Sequence, residues 1–254
     1  MRARSFVAAV VVVLAMLPLL SAAQQRPTDG SIYRWNNGRW VQVEGFGTRI
    51  AVGPDGSPWV VNSGNEIYRW NRNAFEKLPG RAIDIGVGGD GTAWIIGTDN
   101  GIYKWNGSDW DRQQGNAAAI SVDRQGQPWV VNTSSEIYSF NGSGGFIPRS
   151  GKARDVAAGD EIWLIGTDNQ IYRRTGNEWM PMGGSGERIA AGANGTAWVV
   201  NQQGTIYHWE NGEFRPIPGG PAMDIGANAN GQVWMVGQAQ GANQRFRRQP
   251  PNDR

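Results

Sequence analysis

Six tryptophans, Trp59, Trp94, Trp129, Trp163, Trp198 and Trp234, return along this chain every 34 to 36 residues. Six Ile-Tyr pairs, at Ile32, Ile67, Ile102, Ile137, Ile171 and Ile206 with the residue that follows each, keep the same interval. A fixed period of this length denotes one supersecondary unit repeated, in which each copy buries its apolar face only against its neighbours. The unit is clearest between Trp59 and Trp70, where Trp-Val-Val-Asn, a short turn and Glu-Ile-Tyr-Arg-Trp read as two strands of a hairpin.

Helical repeats of similar length exist, but the composition argues against them. The chain holds 37 glycines, its apolar runs last four or five residues, and Asp55-Gly56, Asp90-Gly91, Asn194-Gly195 and Asn230-Gly231 separate them in the manner of β-turns. Each full unit supplies a first strand of Ile/Val-x-x-Gly type, a Trp strand, an Ile-Tyr strand and an aromatic-led fourth strand. The first strands start at Ile50, Ile85, Ile120, Val156 and Ile189. Four strands per unit at this spacing predict propeller blades. The chain opens with the second half of a unit, Ser31 to Val43, and its last unit, from Ile225 to Gly237, is only a first half. Pairing the two halves removes both exposed sheet edges. The expectation is therefore an all-β, six-bladed β-propeller of four-stranded blades, closed by its N-terminal and C-terminal half-blades.

A second period overlies the first. The Trp strand ends in Asn at Asn62, Asn132 and Asn201, and in Gly at Gly97, Gly166 and Gly237. The fourth strands open with Trp40, Phe75, Trp110, Phe146, Trp179 and Phe214 in strict alternation. Two blade types thus alternate, with approximate threefold symmetry.

The units resemble tectonin repeats, whose Ile-Ala-Val-Gly-x-Asp-Gly-x-x-Trp-x-Val-Asn-x-x-x-x-Ile-Tyr-x-Trp form is followed almost throughout by Ile50 to Trp70. The resemblance covers Ser31 to Gly237. Departures are a shorter first turn at Asp160-Glu161, Phe140 and Arg174 in place of the third-strand Trp, and Gly for Asn in alternate blades. It implies a six-bladed propeller and, from the lectins in that family, binding of microbial or cell-surface glycans. Fold alone does not assign that activity.

Residues 1–23 read as a secretory signal peptide: Arg2 and Arg4, an apolar run from Phe6 to Leu20 broken by Pro18, then Ser21-Ala22-Ala23. The run is shorter than the roughly 20 residues a spanning helix requires, so no stable membrane span is expected. Residues 24–30 form a polar lead, 31–238 the propeller and 239–254 a solvated basic tail. With Arg2 and Arg4 set aside, the 22 remaining Lys and Arg residues match 22 Asp and Glu. The basic isoelectric point is therefore no nucleic-acid footprint. Absence of cysteine excludes disulfides and thiolate chemistry.

No catalytic constellation stands out. The single histidine, His208, takes a strand position held elsewhere by Arg69, Lys104 or Arg173, and has no second histidine as partner. The Asp-to-Trp spacing at Asp55 and Asp90 is one residue short of the Asp-box of six-bladed glycosidases. The second-strand tryptophans and the six tyrosines are expected in the core. No enzyme activity, metal or cofactor is expected.

Two groups of residues remain as candidates. Trp35 with Trp40, Trp70 with Phe75, Trp105 with Trp110, Phe140 with Phe146 and Trp209 with Phe214 face each other across the third hairpin of their units, beside Asn36, Asn71, Asn106 and Asn141. Aromatic faces stack on pyranose rings and amides bond hydroxyls, so these residues suit a shallow sugar site; as cross-strand pairs they equally stabilise their hairpins by roughly 0.5 to 1 kcal/mol each. The residue before each first strand reads Arg49, Asp84, Ala119, Asp155, Arg188 and Asp224 around the repeat, a ring of opposite charges that either clamps the blades or selects a ligand at the channel mouth.

The expected protein is a secreted or periplasmic binder of glycans or glycoconjugates, lipopolysaccharide among them. Per-site affinity is of millimolar to micromolar order, raised by repetition. The alternative is an envelope scaffold with a protein partner.

Overall fold

The structure, a computed structural model, describes residues 29–143 and 145–238; the signal-peptide segment at 1–23, most of the polar lead and the tail at 239–254 lie outside the described residues. It is an all-β protein of antiparallel strands, and a single 3-10 turn at Ala193–Gly195 is the sole helical element among the described residues.

The chain enters with β1 (Gly30–Asn36) and β2 (Arg39–Gly47), then builds a unit around Trp59 from β3 (Arg49–Val52), β4 (Pro58–Val61), β5 (Glu66–Trp70) and the first half of β6 (Phe75–Val87). The second half of β6 begins the Trp94 unit, completed by β7 (Ala93–Gly97), β8 (Gly101–Trp105) and β9 (Trp110–Asn116). The Trp129 unit uses β10 (Ala119–Val122), β11 (Pro128–Val131), β12 (Glu136–Phe140) and the start of β13 (Phe146–Ala158). The end of β13 passes into the Trp163 unit with β14 (Ile162–Gly166), β15 (Gln170–Thr175) and β16 (Glu178–Ser185). The Trp198 unit follows as β17 (Arg188–Ala191), β18 (Ala197–Val200), β19 (Ile206–Glu210) and β20 (Glu213–Ile217), and the Trp234 unit opens with β21 (Ala222–Ala227) and β22 (Val233–Gly237).

The two half-units meet in one sheet. Its order is β2-β1-β22-β21, with Ile32 opposite Val236, Tyr33 opposite Met235 and Arg34 opposite Trp234. Innermost strands touch in succession, β21 on β3, β3 on β6, β6 on β10, β10 on β13, β13 on β17 and β17 on β21.

The six second-strand tryptophans are buried, none more than 6% exposed. Each packs between the sheet that carries it and the next, where an indole fills the wedge that two twisted sheets leave. The tyrosines depart from the expected core position. All six are half-buried, and in four of them the hydroxyl reaches a carboxylate just ahead of it in the chain: Tyr68 and Tyr138 donate to Glu66 and Glu136, Tyr103 and Tyr172 to Asp99 and Asp168.

Turn chemistry separates the two unit types. In the Asn type, Asn62, Asn132 and Asn201 each accept a backbone N–H four residues on with the amide oxygen, and so cap the turn after the Trp strand. In the Gly type the cap moves to Asp99 and Asp168, and the tyrosine ring folds over the vacant position. A Cβ at Gly97 would stand 2.8 Å from Tyr103, and one at Gly237 would stand 3.0 Å from Tyr33. The Asn-Gly turns are not all of one kind either. Asn37-Gly38, Asn194-Gly195 and Asn211-Gly212 hold positive φ at both residues, as expected, whereas at Asn106-Gly107 and Asn141-Gly142 only the glycine does. There the asparagine serves as acceptor for N–H groups ahead of it.

The charged ring forms at the centre. Arg49 lies 3.9 Å from Asp84, and Arg188 lies 3.7 Å from Asp155 and 3.9 Å from Asp224. Each buried aspartate also accepts a backbone N–H from the next unit: Asp84 from Ile120, Asp155 from Ile189 and Asp224 from Ile50, at 2.8 to 3.1 Å. One carboxylate per Gly-type unit therefore stitches it to its successor, which satisfies an N–H that the strand pairing leaves free. Ala119 holds the place of a third arginine, so three carboxylates share two cations. Burial pushes Asp84 up to about 6, against the attraction of Arg188 and Arg49; it pushes Asp224 up as well.

Candidate functional site

The sequence alternation of Trp and Phe at the head of the fourth strand becomes an alternation of sealed and open seams between units. Where an Asn-type unit meets the Gly-type unit that follows, the seam is sealed by an indole. Trp110 covers Gly80 and donates through Nε1 to the Pro79 carbonyl at 2.9 Å; Trp179 covers Gly151 and donates to the Ser150 carbonyl at 2.8 Å; Trp40 covers Gly219 and donates to the Pro218 carbonyl at 3.1 Å. The three glycines have φ of 82°, 87° and 115°. A Cβ at Gly80 would approach Trp110 to 3.0 Å, so both backbone conformation and space demand glycine there.

Where a Gly-type unit meets the following Asn-type unit, the corresponding side chain is Phe146, Phe214 or Phe75. Phenylalanine is smaller than tryptophan and carries no N–H to anchor it across the seam. The Phe146 seam opens into a cleft of about 640 Å³, floored by Ile102, Val130 and Phe146 and walled by Gln114, Asn116, Asn132 and Tyr138. The Phe214 seam opens into an equivalent cleft of about 400 Å³ over Ile171, Val199 and Phe214, with Ser185, Asn201 and Tyr207 on its walls. In the Phe75 seam the facing strand comes closer. A Cβ at Gly45 would stand 2.6 Å from Phe75, whereas one at Gly184 would stand 3.8 Å from Phe214. Each open cleft thus pairs an apolar aromatic floor with amide and hydroxyl walls, the combination that receives a pyranose face and its ring hydroxyls.

The Phe146 cleft carries an additional network. Glu136 accepts from the Asn132 amide at 2.9 Å, from Tyr138 at 3.1 Å and from Lys152 at 3.3 Å. These donors hold its carboxyl below the usual range, the Asn132 bond first among them. In the Phe214 cleft Thr205 stands at the position of Glu136, and the lining carboxylate is instead that of Glu213.

The aromatic pairs singled out in the sequence sit at the outer hairpins of five units; Phe140 lies 5.4 Å from Phe146 and Trp209 4.9 Å from Phe214. Trp35 and Trp40 are 4.9 Å apart in the Trp234 unit, Trp105 and Trp110 are 4.8 Å apart in the Trp94 unit, and Trp70 lies 5.0 Å from Phe75 in the Trp59 unit. Trp35 is turned edge-on to Trp198, and Trp105 and Trp110 to Trp59, so these rings belong to the wedge between units. Asn71 and Asn106 spend their amide oxygens on backbone N–H groups of their own turns and their amide nitrogens on Glu76 and Asp111. Asn36 closes the β1–β2 hairpin opposite Arg39. His208 lies flat on Trp198, ring centroids 4.3 Å apart, and burial pushes its pKa down, which keeps the imidazole neutral.

Of the cleft residues, Phe146 and Phe214 belong to the aromatic pairs singled out in the sequence, whereas Tyr138, Tyr207, Gln114 and Asn116 were not reached from it. The Trp/Phe alternation was the signal for them, but its meaning depends on which unit each ring faces.

Comparison with known proteins agrees with this architecture. A solved WD40 β-propeller domain of Doa1 superposes with a TM-score of 0.61 at 15% identity, covering 84% of each chain. A protein of unknown function from Bacteroides thetaiotaomicron gives 0.57 at 11% identity, over 84% of this chain and 80% of that one. YCF48, solved bound to a D1 peptide, gives 0.51 at 13% identity, over 86% and 94%. These identities speak for the β-propeller fold alone. In sequence, Tectonin-2 of Physarum polycephalum is 49% identical over 35 residues, which is 14% of this chain and a tenth of the length of that relative. The Tectonin domain profile matches residues 26–94, 72–150 and 150–251. With matches running through the whole set of sealed and open seams, the chain belongs to the Tectonin domain family.

Proposed function

We propose that this protein is a non-enzymatic, lectin-like propeller whose six four-stranded units close into one wheel and which binds glycans in the clefts headed by Phe146 and Phe214, with the Phe75 seam as a narrower third copy. The observation that carries this reading is the pair of equivalent clefts, one apolar ring each beneath convergent amide and hydroxyl groups. The pairing of β1 with β22 and the succession of innermost strands support the closed wheel. Single sites of this shallowness give affinities of millimolar to micromolar order, and their repetition around one axis adds avidity on a surface that presents many copies. Such a role suits a secreted or periplasmic protein.

The test is a glycan array followed by titration of the retained sugar. Phe146→Ala is expected to lower affinity at its cleft roughly fivefold, and the double variant Phe146→Ala, Phe214→Ala to abolish retention on a multivalent surface, since aromatic stacking is worth about 1 kcal/mol per ring. Both variants should keep the thermal stability of the fold to within a few degrees. A blank array, or a double variant that binds as the parent does, contradicts the reading.

The exposed apolar side chains Phe46 and Met180, 61% and 49% accessible, favour a second reading as an envelope scaffold that grips a protein partner. Recovery of one stoichiometric protein partner that free sugar does not release supports it.

A further inference from the structure

The seam between the Trp129 and Trp163 units breaks the threefold pattern of its two counterparts. In those counterparts the third strand of the entering unit presents Trp35 or Trp105 edge-on to Trp198 or Trp59, with centroids 6.1 and 6.2 Å apart. Here the position belongs to Arg174, and its guanidinium lies 5.0 Å from the centroid of Trp129. A second guanidinium, that of Arg149, lies 5.5 Å from the same indole.

Arg149 is itself a substitution within the repeat. It pairs with Ile137 where Leu78 pairs with Ile67 and Ile217 with Ile206. The cation that Arg69 places over Trp59 has no counterpart on β12, because Ser139 stands there, and its buried hydroxyl accepts the Arg149 Nε–H at 2.9 Å. One indole therefore holds two arginines. Both are half-buried, and among the described residues neither forms an ion pair with a carboxylate. Burial, and then the charge of Arg149, pushes the pKa of Arg174 down. Two like charges held together at a partly desolvated seam repel, and an anion placed between them reverses the sign of that interaction.

The space for one exists. The Trp179 indole seals this seam only where it covers Gly151; beside it a cleft of about 330 Å³ remains, lined by Arg149, Arg174, Ser150, Asn177, Trp179 and the exposed Glu178. Arg174 is steadied by a 3.0 Å hydrogen bond to the Asn177 side-chain oxygen, which uses one of its five N–H donors. The remaining guanidinium hydrogens of the pair match the geometry of a carboxylate, sulfate or phosphate group.

We propose that the Arg149–Arg174 cleft is an oxyanion site that takes the acidic group of a charged saccharide. It lies on the other side of the β13 edge strand from the Phe146 cleft, and it rests on the glycan-binding reading for the saccharide but not for the anion contact. The probes are galacturonate, galactose and inorganic sulfate, titrated into the full chain by calorimetry at low and at physiological salt. Galacturonate is expected to bind and galactose not to bind at this site, with affinity falling as salt rises. Arg174→Trp, which restores the residue of the two counterpart seams, and Arg149→Leu, which restores that of the Trp59 unit, are each expected to weaken galacturonate at least tenfold. Sugar titrated into the Phe146 cleft should be unaffected by either. Loss of neutral-glycan binding with acidic binding intact removes the reading of the Phe clefts and leaves this site standing. Sulfate bound without galacturonate overturns the saccharide assignment. Galacturonate and sulfate both failing to bind, or binding equally to the parent and to both variants, overturns the site.

Discussion

Replacing Arg188 by Met is expected to lower the unfolding free energy by about 3 to 5 kcal/mol, the effect of stripping the counter-charge from buried carboxylates. Arg188 stands between Asp155 and Asp224, at 3.7 and 3.9 Å, and each aspartate also holds a strand of the next unit through a backbone N–H. With the guanidinium gone, Asp155 and Asp224 remain buried beside Asp84 with Arg49 as the other cation of the ring. For a domain of this size the loss corresponds to a melting temperature roughly 10 °C lower at pH 7. The pH profile separates this cause from simple loss of packing. In the parent, the carboxyl of Asp84 titrates at about 6 when folded and near 3.8 when unfolded. The native state therefore holds the extra proton between about pH 4 and 6, so this group's contribution to stability is full below that window and is lost as pH rises through it. Protonation relieves the variant in the same direction, and the gap between variant and parent should narrow as pH falls from 7 to 5. Carboxyls held low by surface hydrogen bonds, Asp99 by the Gly101 N–H and Asp168 by Tyr172, act in the opposite sense and take effect only below about pH 4. A gap that is constant across pH 5 to 7 would show that the charge of Arg188 is not what matters.

The second large effect is expected at the meeting of the chain's ends. Ile32 is fully buried and sits in β1, which is hydrogen-bonded to β2 on one side and to β22 on the other. Ile32→Pro removes a ladder donor from an interior strand, at about 3 kcal/mol or more, and empties a filled core position as well. The variant is expected to be unfolded or to melt at least 15 °C below the parent. Because the chain has no cysteine, the positive counterpart is clean. Tyr33 and Met235 face each other across β1 and β22, so Tyr33→Cys with Met235→Cys should form a single disulfide on oxidation. Cross-linking so long a loop stabilises by roughly 5 kcal/mol in the chain-entropy account. A double variant that forms only intermolecular disulfides would show that the two ends do not share a sheet in solution.

Most of the fold was legible in the sequence because its determinants are local and repeated. Trp59 and its five counterparts mark strands that must be buried, and Asn-Gly and Asp-Gly mark turns that only a few residue types accept. The incomplete first and last units gave the β1–β22 pairing by exhaustion of edges. The charged ring was legible too, down to Arg49 with Asp84 and Arg188 with its two aspartates, since one residue per unit at a fixed offset falls on one face of successive sheets. What the sequence did not carry was the relation between neighbouring units. Trp40 and Trp110 looked like free platforms for a sugar because each pairs with a ring on its own hairpin. Their N–H groups in fact cross a seam to carbonyls 178 and 31 residues away. The tyrosines were expected in the core because one recurs in each unit, as the second-strand tryptophans do. In four of them a hydroxyl bonded to a nearby carboxylate, as Tyr138 to Glu136, holds the ring toward the surface, and Tyr138 and Tyr207 line the clefts. The open sites arise where the repeat supplies the smaller ring, a difference of one residue type whose consequence only the facing unit decides.

The account depends most on the difference between seams headed by phenylalanine and seams headed by tryptophan. Crystals soaked with the oligosaccharide that an array selects would test it directly. The account predicts sugar density over Phe146 and Phe214, in contact with Asn132 or Asn201, and none displacing Trp40, Trp110 or Trp179. A neutral sugar bound instead on a tryptophan seam, or at the charged centre, would contradict it.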